Sequence, residues 1–521
     1  MAECLEGEGR FLDDVLDYAW AFCERTAWVN PGNLVERGRD VTKVGGLPRA
    51  SPPPEERSID LNARIGFHLA ETDYLLGDAL HPGLRERIRE ECERKLLAPY
   101  ESREDHWWWD PPTNSWNAAC HSACLGTALY LEENPERLAR LTKRAVESLE
   151  HFLAMFGTDG GLPEGPDYWS GGFFRFVRLA ELLEARTDGE YSLFDVPVVE
   201  QMAQFPLRVE LGPDRYPPFG DASPDVSLRP CHACRLGTEY DLPGLIAGGK
   251  RALAERPIEE LRSIRNLVWC AGLPEVERPT PDARDFLSGI QWWIARSDLS
   301  DPDAPVVAAR GGTNAESHTH ADVGTFVYHV GGESVLSDLG TATYPEGYHG
   351  EGKYSYPMAR SLGHSVPYVA GHEQRSEPRR QREEVVTPDP PAAEVLRADR
   401  GESRDHFAVE LSDCYPAETN LAGLERHFEF ERPSGSLAVT DTARFRETDA
   451  DRWFESVLVS YQPMERTADG LVVGRDDTRV HVDVGGDVTP EKVWIEHLRD
   501  AVPVDYSTTP SEGYDVWRAR I

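Results

Sequence analysis

The residues best suited to chemistry lie in a short run of histidines and carboxylates, His318-Thr-His320-Ala-Asp322. On an extended segment two histidines separated by one residue point to the same side, because side-chain direction repeats every two residues. A carboxylate from the apolar run that follows, Asp338, and a third histidine, His364, would complete a set of nitrogen and oxygen ligands. Imidazole and carboxylate suit zinc or another borderline cation. The spacing therefore indicates a metal site, although the same histidines could also lie separately in exposed loops.

Tryptophans and carboxylates in the first half of the chain could bind and cleave a sugar. Several tryptophans lie in runs rich in proline, glycine and polar residues, which are typical of loops. They are Trp107, Trp108, Trp109, Trp116 and Trp169. Pyranose faces stack on such rings, although each tryptophan taken singly is as readily a partly buried packing residue. Two carboxylates in similar runs, Glu164 and Asp221, are candidates for the acid and base of a glycoside hydrolase.

The first half must position these groups on helices, because its apolar residues recur every three or four positions. The clearest stripe runs through residues 137–156, shortly after Asn134, a residue that can cap a helix. Similar stretches extend from about residue 10 to about residue 270. Repeated helix pairs of this kind predict a stacked or toroidal (α/α) domain, which we place at residues 1–275.

The second half has the two-residue period of strands instead. Residues 272–285 form a linker rich in proline and charge. Beyond it, runs such as 479–484 alternate apolar and polar residues and are separated by glycine turns. Strands that follow one another without helices predict an antiparallel β-sandwich at residues 276–521, so the whole chain is predicted to be an α+β multidomain protein. The polar, proline-bearing stretch 374–404 is predicted to be an exposed loop.

The charge of the chain excludes nucleic acid as its main partner. Lysine and arginine together number 55 against 91 aspartates and glutamates, a formal net charge of −36. Contacts to phosphates need clustered basic residues, and this composition does not supply them. Only six of the basic residues are lysines. An acidic, lysine-poor composition is typical of halophilic proteins, since high salt screens the repulsion between like charges.

The sequence also bears on compartment and assembly. No apolar run approaches the roughly 18 residues that span a bilayer, and the first residues lack the basic and apolar regions of a secretory signal. Nine cysteines, an odd number spread along the chain, disfavour a disulfide framework. We therefore expect a cytoplasmic protein without a membrane partner, although secretion is not excluded. The oligomeric state stays open, with a homodimer as one option.

Residues 318–367 resemble the β-domain of the heparinase II/III-like polysaccharide lyases. That domain carries an HxHxD segment, then an aspartate after a strand, then a histidine near the end of a tyrosine-rich loop. Residues 114–131, 156–176 and 216–223 resemble the helical domain of the same family, in the same order. The resemblance implies an (α/α) toroid followed by an antiparallel β-sandwich. It further implies β-elimination at a uronic acid of a polysaccharide or oligosaccharide, and it does not specify the glycan.

The resemblance also implies a zinc site with a mainly structural role. Its ligands would be His320, Asp338 and His364. Asp322 would orient one of these ligands from outside the coordination sphere. His318 matches the position to which the family assigns a catalytic or substrate-binding role.

The implied reaction needs a base, an acid and a group that neutralises the uronate carboxylate. A tyrosine suits proton transfer when nearby cations lower its pKa from about 10. Tyr216 is our candidate, because it follows Glu164 at a spacing like that between the family's acidic residue and its tyrosine; the alternative is a turn residue. Tyr354 and Tyr356 compete for this role, since some members use a tyrosine from that loop, and we otherwise expect them to bind substrate.

One loop departs from the relatives that act on heparan sulfate. Those relatives have an asparagine before a Tyr-His pair, whereas here Asp167-Tyr168-Trp169 stands. The departure argues against heparan-type activity and removes the usual group that neutralises the carboxylate. Asn117 or His121 could substitute, although both could equally be buried helix residues.

The sequence thus supports one leading hypothesis for the function and two alternatives. The leading one is a lyase in which Tyr216, His318 and Glu164 are catalytic while Asn117 and Trp169 help to bind the glycan. The first alternative is a glycoside hydrolase on an (α/α) toroid. The second is a glycan-binding protein that keeps the fold and the zinc without catalysis.

Overall fold

The stripe of residues 137–156 folds into a helix, as its period predicts. The helix Pro135–Leu153 follows Asn134, whose side-chain oxygen accepts hydrogen bonds from the backbone N–H groups of Glu136 and Arg137. These bonds satisfy N–H groups that the first turn of a helix leaves without a partner. The apolar face is buried and carries Leu138, Leu141, Ala145, Leu149 and Phe152.

The computed structural model describes residues 1–26, 28, 60–102, 109, 115–255, 264–316, 318–341, 344, 348, 352–376, 390–446, 452–475, 478–486, 493–502 and 514–521. Its α-helices are Ala2–Glu6, Leu12–Glu24, Asp60–Leu76, Pro82–Cys92, Ala98–Ser102, Ser115–Leu131, Pro135–Leu153, Pro166–Tyr168, Phe174–Arg186, Pro197–Val209, Pro230–Glu239, Pro243–Glu255 and Ile264–Val268. Segments of π-helix lie at Glu93–Leu97 and Trp169–Phe173.

By its internal contacts the chain divides into two compact units. The first comprises Met1–Met155, Gly171–Val199 and Leu261–Leu267, and the second comprises Phe156–Ser170, Glu200–Glu260 and Val268–Ile521. Within the first unit the helix Ser115–Leu131 is buried along nearly its whole length, as expected for a helix that is apolar on all sides. The division between a toroid and a sandwich at residue 275 stays a prediction.

The strands belong to the second unit and begin at Arg284. They are β1 Arg284–Leu287, β2 Trp292–Arg296, β3 Val306–Arg310, β4 Phe326–Val330, β5 Glu333–Leu336, β6 Tyr368–Val369, β7 Glu394–Arg400, β8 Arg404–Glu410, β9 Leu421–Glu431, β10 Ser436–Phe445, β11 Phe454–Glu455, β12 Val457–Ser460, β13 Met464–Arg466, β14 Gly470–Val473, β15 Val480–Asp483, β16 Trp494–Val502 and β17 Tyr514–Arg520.

All the pairings among these strands are antiparallel. The sheets have the orders β1-β2-β3-β4-β5, β10-β9-β8-β7, β12-β17-β16, β13-β14-β15 and β11-β6. Side chains of the five-stranded and four-stranded sheets enter one apolar core, in which Trp293 stacks on Phe407 with ring centroids 5.8 Å apart. The ring of Phe326 meets that of Phe428 edge-on in the same core. Helices combined with antiparallel sheets confirm the α+β class.

The prediction of a loop over residues 374–404 is wrong for its last part. Glu394–Arg400 forms β7, which pairs with β8 at one end of its sheet. Val395 and Ala398 pack against the core, and the register shifts between Val395 and Arg397. This shift breaks the strict two-residue alternation, so the strand looks like a polar loop in the sequence. Residues 377–389 lie outside the described part.

Two further expectations can be compared with the structure. None of the helices in the described residues is long and apolar enough to cross a membrane. The nine cysteines form no disulfide in the described parts of the chain, where all of them lie.

A buried arginine ties the four-stranded sheet to the segments that directly follow His318–Asp322 and His364. Arg426 of β9 binds both carboxylate oxygens of Asp441 on β10, each at 2.7 Å. Its remaining terminal nitrogen donates to the carbonyl oxygens of Gly324 and Ser365. Both partners are almost fully buried, so each charge depends on the other for compensation.

We predict that Arg426→Ala lowers the free energy of unfolding by about 3–5 kcal/mol, because it leaves the Asp441 carboxylate buried without its partner. The matched control is Arg404→Ala on β8, whose half-exposed side chain pairs with Glu431; this substitution should cause a much smaller loss, because exposed ion pairs contribute little to stability. Urea denaturation followed by tryptophan fluorescence measures both losses. Equal, small losses for the two variants would contradict this reading.

Candidate active site

The candidate site forms where four backbone segments of the second unit approach each other closely. Gly220 has φ +70°, and a Cβ on it would lie 3.2 Å from the carbonyl oxygens of both Glu164 and His318. Gly340 has φ +54°, and a Cβ there would lie 2.1 Å from the carbonyl oxygen of Ala222. The backbone N–H of Thr341 donates to that same carbonyl oxygen at 2.8 Å. Only glycine permits both the left-handed conformation and this close packing.

The histidine run is a turn and not the extended segment that we predicted. His318 has φ +59°, in the left-handed region, and the hydroxyl of Thr319 donates to the carbonyl oxygen of Glu316. Histidine adopts this region more readily than most residues do. His318 and His320 nevertheless reach one common group, because the turn brings both rings to the carboxylate of Asp221.

Asp221 is the centre of the site. Its Oδ2 lies 2.7 Å from Nδ1 of His318, and its Oδ1 lies 2.9 Å from Nε2 of His320. The hydroxyls of Tyr348 and Thr341 donate to Oδ1 at 2.7 and 3.2 Å. Burial alone would raise the pKa of Asp221, but the charge of Lys353 and the hydrogen bonds from both histidines hold it well below its usual range. The carboxylate is therefore ionised and accepts all of these bonds.

Lys353 supplies positive charge next to this carboxylate. Its Nζ lies 3.9 Å from Oδ1 of Asp221 and donates to the carbonyl oxygen of Thr319 at 2.8 Å. Burial lowers the pKa of Lys353, and the charge of Asp221 opposes that change. About 15% of its side chain is exposed.

Two tyrosines and a glutamate surround the ring of His318. The Tyr168 hydroxyl lies 3.0 Å from Nδ1 of His318 and 2.5 Å from the Tyr344 hydroxyl, and the rings of Tyr168 and His318 lie 4.2 Å apart. Oε1 of Glu164 lies 3.8 Å from Nε2 of His318. Burial raises the pKa of both tyrosines, and the charge of Asp221 adds to the increase. Both hydroxyls therefore keep their protons, contrary to our expectation of a tyrosine with a lowered pKa.

The predicted metal ligands meet on the other side of His320. Four buried residues each offer one ligand atom, and these atoms all lie within 4.8 Å of one another: His320, Asp322, Asp338 and His364. Nδ1 of His320 and Oδ1 of Asp322 are buried without a hydrogen-bond partner in the described structure. Such orphaned atoms are costly unless a ligand satisfies them. The donor set of imidazoles and carboxylates fits zinc.

Groups outside the cluster orient its members. Nε2 of His364 lies 2.9 Å from the carbonyl oxygen of Met358, so this nitrogen carries a proton. The other ring nitrogen, Nδ1, faces Oδ2 of Asp338 at 2.7 Å. Burial opposes the charged forms of this pair, but their mutual attraction outweighs it, so the pKa of His364 is raised and that of Asp338 is lowered. The other carboxylate oxygen of Asp322 binds Arg310 at 3.1 Å. Asp322, expected only to orient a ligand, thus lies among the candidate ligands.

Several predicted substrate-binding residues are buried packing residues. Trp169 is fully buried, donates from Nε1 to the carbonyl oxygen of Met202 and packs against the ring of His232 with centroids 4.2 Å apart. It therefore offers no face to a sugar. Asn117 is also fully buried and donates to Ser148 within the first unit.

The other predicted residues have mixed outcomes. Tyr216 is buried, and its electrostatic neighbours are Asp214 and Arg251. In the described residues it makes no hydrogen bond to His318, so its catalytic role is without support. Tyr354 and Tyr356 are partly buried in the apolar cluster that contains Tyr348. Trp107 and Trp108 lie outside the described residues, and Trp109 is fully buried.

The sequence reasoning missed the residues that contact His318. They are Tyr168 and Asp221, together with Tyr344, which bonds to Tyr168, and Lys353, which lies next to Asp221; Asp221 was considered only as a hydrolase carboxylate. Tyr168 stood in the loop that departs from the heparan-sulfate-acting relatives, and the retained tyrosine in that loop was the signal that could have found it.

Comparison with known structures identifies the fold. A heparan sulfate lyase, HepC, from Pedobacter heparinus in a mutant form matches with a TM-score of 0.59 and 14% identity, over 99% of this chain and 71% of that one. A heparinase III gene product matches with a TM-score of 0.61 and 12% identity, over 100% of this chain and 74% of that one. The chain has a heparinase-like fold. No protein-family model and no curated protein sequence matches it. The heparinase-like fold is thus shared at low sequence identity, and function has to be argued from the site.

We predict that the purified protein binds about one zinc ion per chain, and that His364→Ala weakens this binding by more than about a hundredfold. Loss of a ligand should cost more than loss of an outer hydrogen-bond partner, which costs about 10–100-fold. Elemental analysis and competition with a chelator measure both quantities. The control is His427→Ala, a partly exposed histidine paired with Glu425, which should keep wild-type affinity. Equal zinc binding by the two variants would exclude His364 as a ligand.

Proposed function

We propose that the chain is a polysaccharide lyase that cleaves uronic-acid-containing polysaccharides or oligosaccharides by β-elimination. The observation that carries the proposal is the group of two tyrosines and an aspartate around His318. Elimination needs a base for the proton next to the carboxylate and an acid for the departing glycosidic oxygen. Imidazole and phenol groups in contact supply both within one site. The shared heparinase-like fold supports the same class of reaction by analogy only.

We assign the base to His318. The ionised carboxylate of Asp221 can only accept hydrogen bonds, so Nδ1 of His318 must carry the proton that it receives at 2.7 Å. Proton exchange at this ring therefore falls to Nε2, as in other Asp-His pairs in which the carboxylate sets the tautomer. Nε2 would take the proton from the carbon next to the uronate carboxylate, and the electron pair left behind forms the new double bond.

We assign the acid to Tyr168. Its hydroxyl is protonated, since burial raises its pKa, and the Tyr344 hydroxyl at 2.5 Å can replace the donated proton afterwards. As the carbon–oxygen bond breaks, the glycosidic oxygen would receive the proton of Tyr168. This assignment replaces Tyr216, which has no comparable contact with His318.

The uronate carboxylate needs compensation for its charge. The ammonium group of Lys353 is the cation next to Asp221, so it can attract this carboxylate. Glu164, in a protonated state, would donate a hydrogen bond to it. Together the two would neutralise the carboxylate in place of the asparagine and histidine that are absent from the loop Asp167-Tyr168-Trp169.

The metal cluster would hold zinc through His320, Asp338 and His364, with Asp322 as a fourth group. Bound zinc would supply rigidity to the turn that carries His318, since ligand binding contributes to folding free energy.

The hydrolase alternative needs Asp221 as one of its two catalytic carboxylates. Both oxygens of Asp221 are already engaged by buried donors, so this carboxylate is not free to act on a sugar. No observation favours a glycan-binding protein without catalysis over the lyase.

We predict that zinc-loaded protein at high salt forms an unsaturated uronyl product from at least one uronate polymer, detected by ultraviolet absorbance. Tyr168→Phe should lower kcat by about 10²–10⁴-fold, the usual contribution of a general acid or base. Tyr216→Phe tests the earlier assignment and should keep kcat within a few-fold of wild type. Tyr191→Phe, on an exposed tyrosine, controls for the substitution itself.

Two results would reject parts of this proposal. Full activity of Tyr168→Phe together with inactive Tyr216→Phe would return the role to Tyr216. Absence of an unsaturated product from every uronate polymer, in protein shown to be folded and zinc-loaded, would reject the lyase.

A further inference from the structure

One carboxylate connects the catalytic histidine with the metal cluster. Asp221 is almost fully buried and uses its two oxygens on different rings, Oδ2 for Nδ1 of His318 and Oδ1 for Nε2 of His320. The two rings lie on neighbouring positions of the same turn. A single side chain therefore fixes the orientation of both imidazoles.

On the His320 side, Asp221 does not belong to the candidate ligands but forms a hydrogen bond with one of them, His320. Oδ1 of Asp221 bonds to Nε2 of His320 at 2.9 Å, so Nδ1 is the ring nitrogen left to bind a metal. His320 belongs to the convergent donor group, and its Nδ1 is buried without a hydrogen-bond partner in the described structure. Histidines that bind metals commonly donate their other N–H to a carboxylate, which fixes ring and tautomer.

On the His318 side, the same carboxylate selects the opposite nitrogen. Nδ1 of His318 carries the proton that Asp221 accepts, so Nε2 is left to face Glu164 at 3.8 Å. Turning the carboxylate to improve either bond would weaken the other. The orientation of His320 therefore limits the orientation of His318.

The carboxylate is itself held on several sides. Tyr348 and Thr341 donate to Oδ1, and the preceding residue, Gly220, is fixed in a left-handed conformation between two carbonyl oxygens. A group restrained in this way transmits a change in orientation from one ring to the other, because it has little freedom to absorb that change.

We propose that Asp221 is a positioning residue shared by the metal cluster and the catalytic histidine, so that metal binding at His320 orients His318 for proton transfer. The catalytic half rests on the proposed function, whereas the metal half does not. Asp221 acts through the two histidines and has no contact with substrate in this scheme.

The main experiment compares Asp221→Asn with wild type in the full chain. Zinc affinity, measured by chelator competition, should fall about 10–100-fold. At saturating zinc kcat should still fall at least about tenfold with little change in KM, because His318 loses its orientation. Nitrogen NMR of the imidazoles should show the proton on Nε2 of His320 and on Nδ1 of His318 in zinc-loaded wild type, and a changed distribution in the variant.

A double-mutant cycle separates coupling from general damage. His318→Ala alone should lower kcat and leave zinc affinity close to wild type. Asp221→Asn added to His318→Ala should lower zinc affinity again while lowering kcat little further, because its catalytic effect passes through His318. Independent, additive losses of kcat would overturn the proposal.

The outcomes also separate this inference from the proposed function. Wild type without lyase activity but with the expected zinc and NMR changes would reject the lyase and keep Asp221 as the shared positioning residue. Unchanged zinc affinity in folded Asp221→Asn would overturn the inference whatever the activity. If that variant does not fold, Tyr348→Phe removes one bond to Oδ1 together with a 2.9 Å contact to Nε2 of His320. It should weaken zinc binding by about fivefold and change the NMR signals of His318 as well as those of His320; a change confined to His320 would overturn the inference equally.

Discussion

The buried carboxylate of Asp221 is the interaction on which the rest of the site depends. Taking a carboxylate out of water is costly, and the cost is offset only when donors and a compensating charge surround the group. Here two imidazoles, two hydroxyls and the ammonium group of Lys353 perform this role. The backbone segments that carry them must therefore meet at one point, which explains why Gly220 and Gly340 occur where these segments come into close contact.

Regular elements and the metal cluster could be predicted from the sequence because their signals are local or carry strong chemistry. The stripe after Asn134 shows the helical period directly, and the strands over β9, β10 and β15 alternate in the same direct way. The ligands His320, Asp338 and His364 could be proposed from residue type, spacing and resemblance, and the structure brings them together. Their occupation by zinc stays a prediction.

The partners of His318 could not be predicted because they depend on packing between distant loops. Tyr168 lies 150 residues before His318, and only the fold brings its hydroxyl to the ring. Tyr216 was selected by its spacing from Glu164, but spacing in the sequence does not determine which way a side chain points in a proline-containing loop. Trp169 was predicted to bind sugar because of the composition of its loop. In the structure its N–H donates to a backbone carbonyl oxygen and its ring packs against His232 inside the protein.

The origin of the oxygen at the new chain ends distinguishes elimination from hydrolysis most directly. A uronate polymer cleaved by the zinc-loaded protein in heavy-oxygen water is analysed by mass spectrometry. Elimination adds no water, so the lyase predicts unlabelled products, one of which is lighter by one water than the corresponding hydrolysis product. Incorporation of one heavy oxygen for each bond cleaved would show hydrolysis and contradict the central claim.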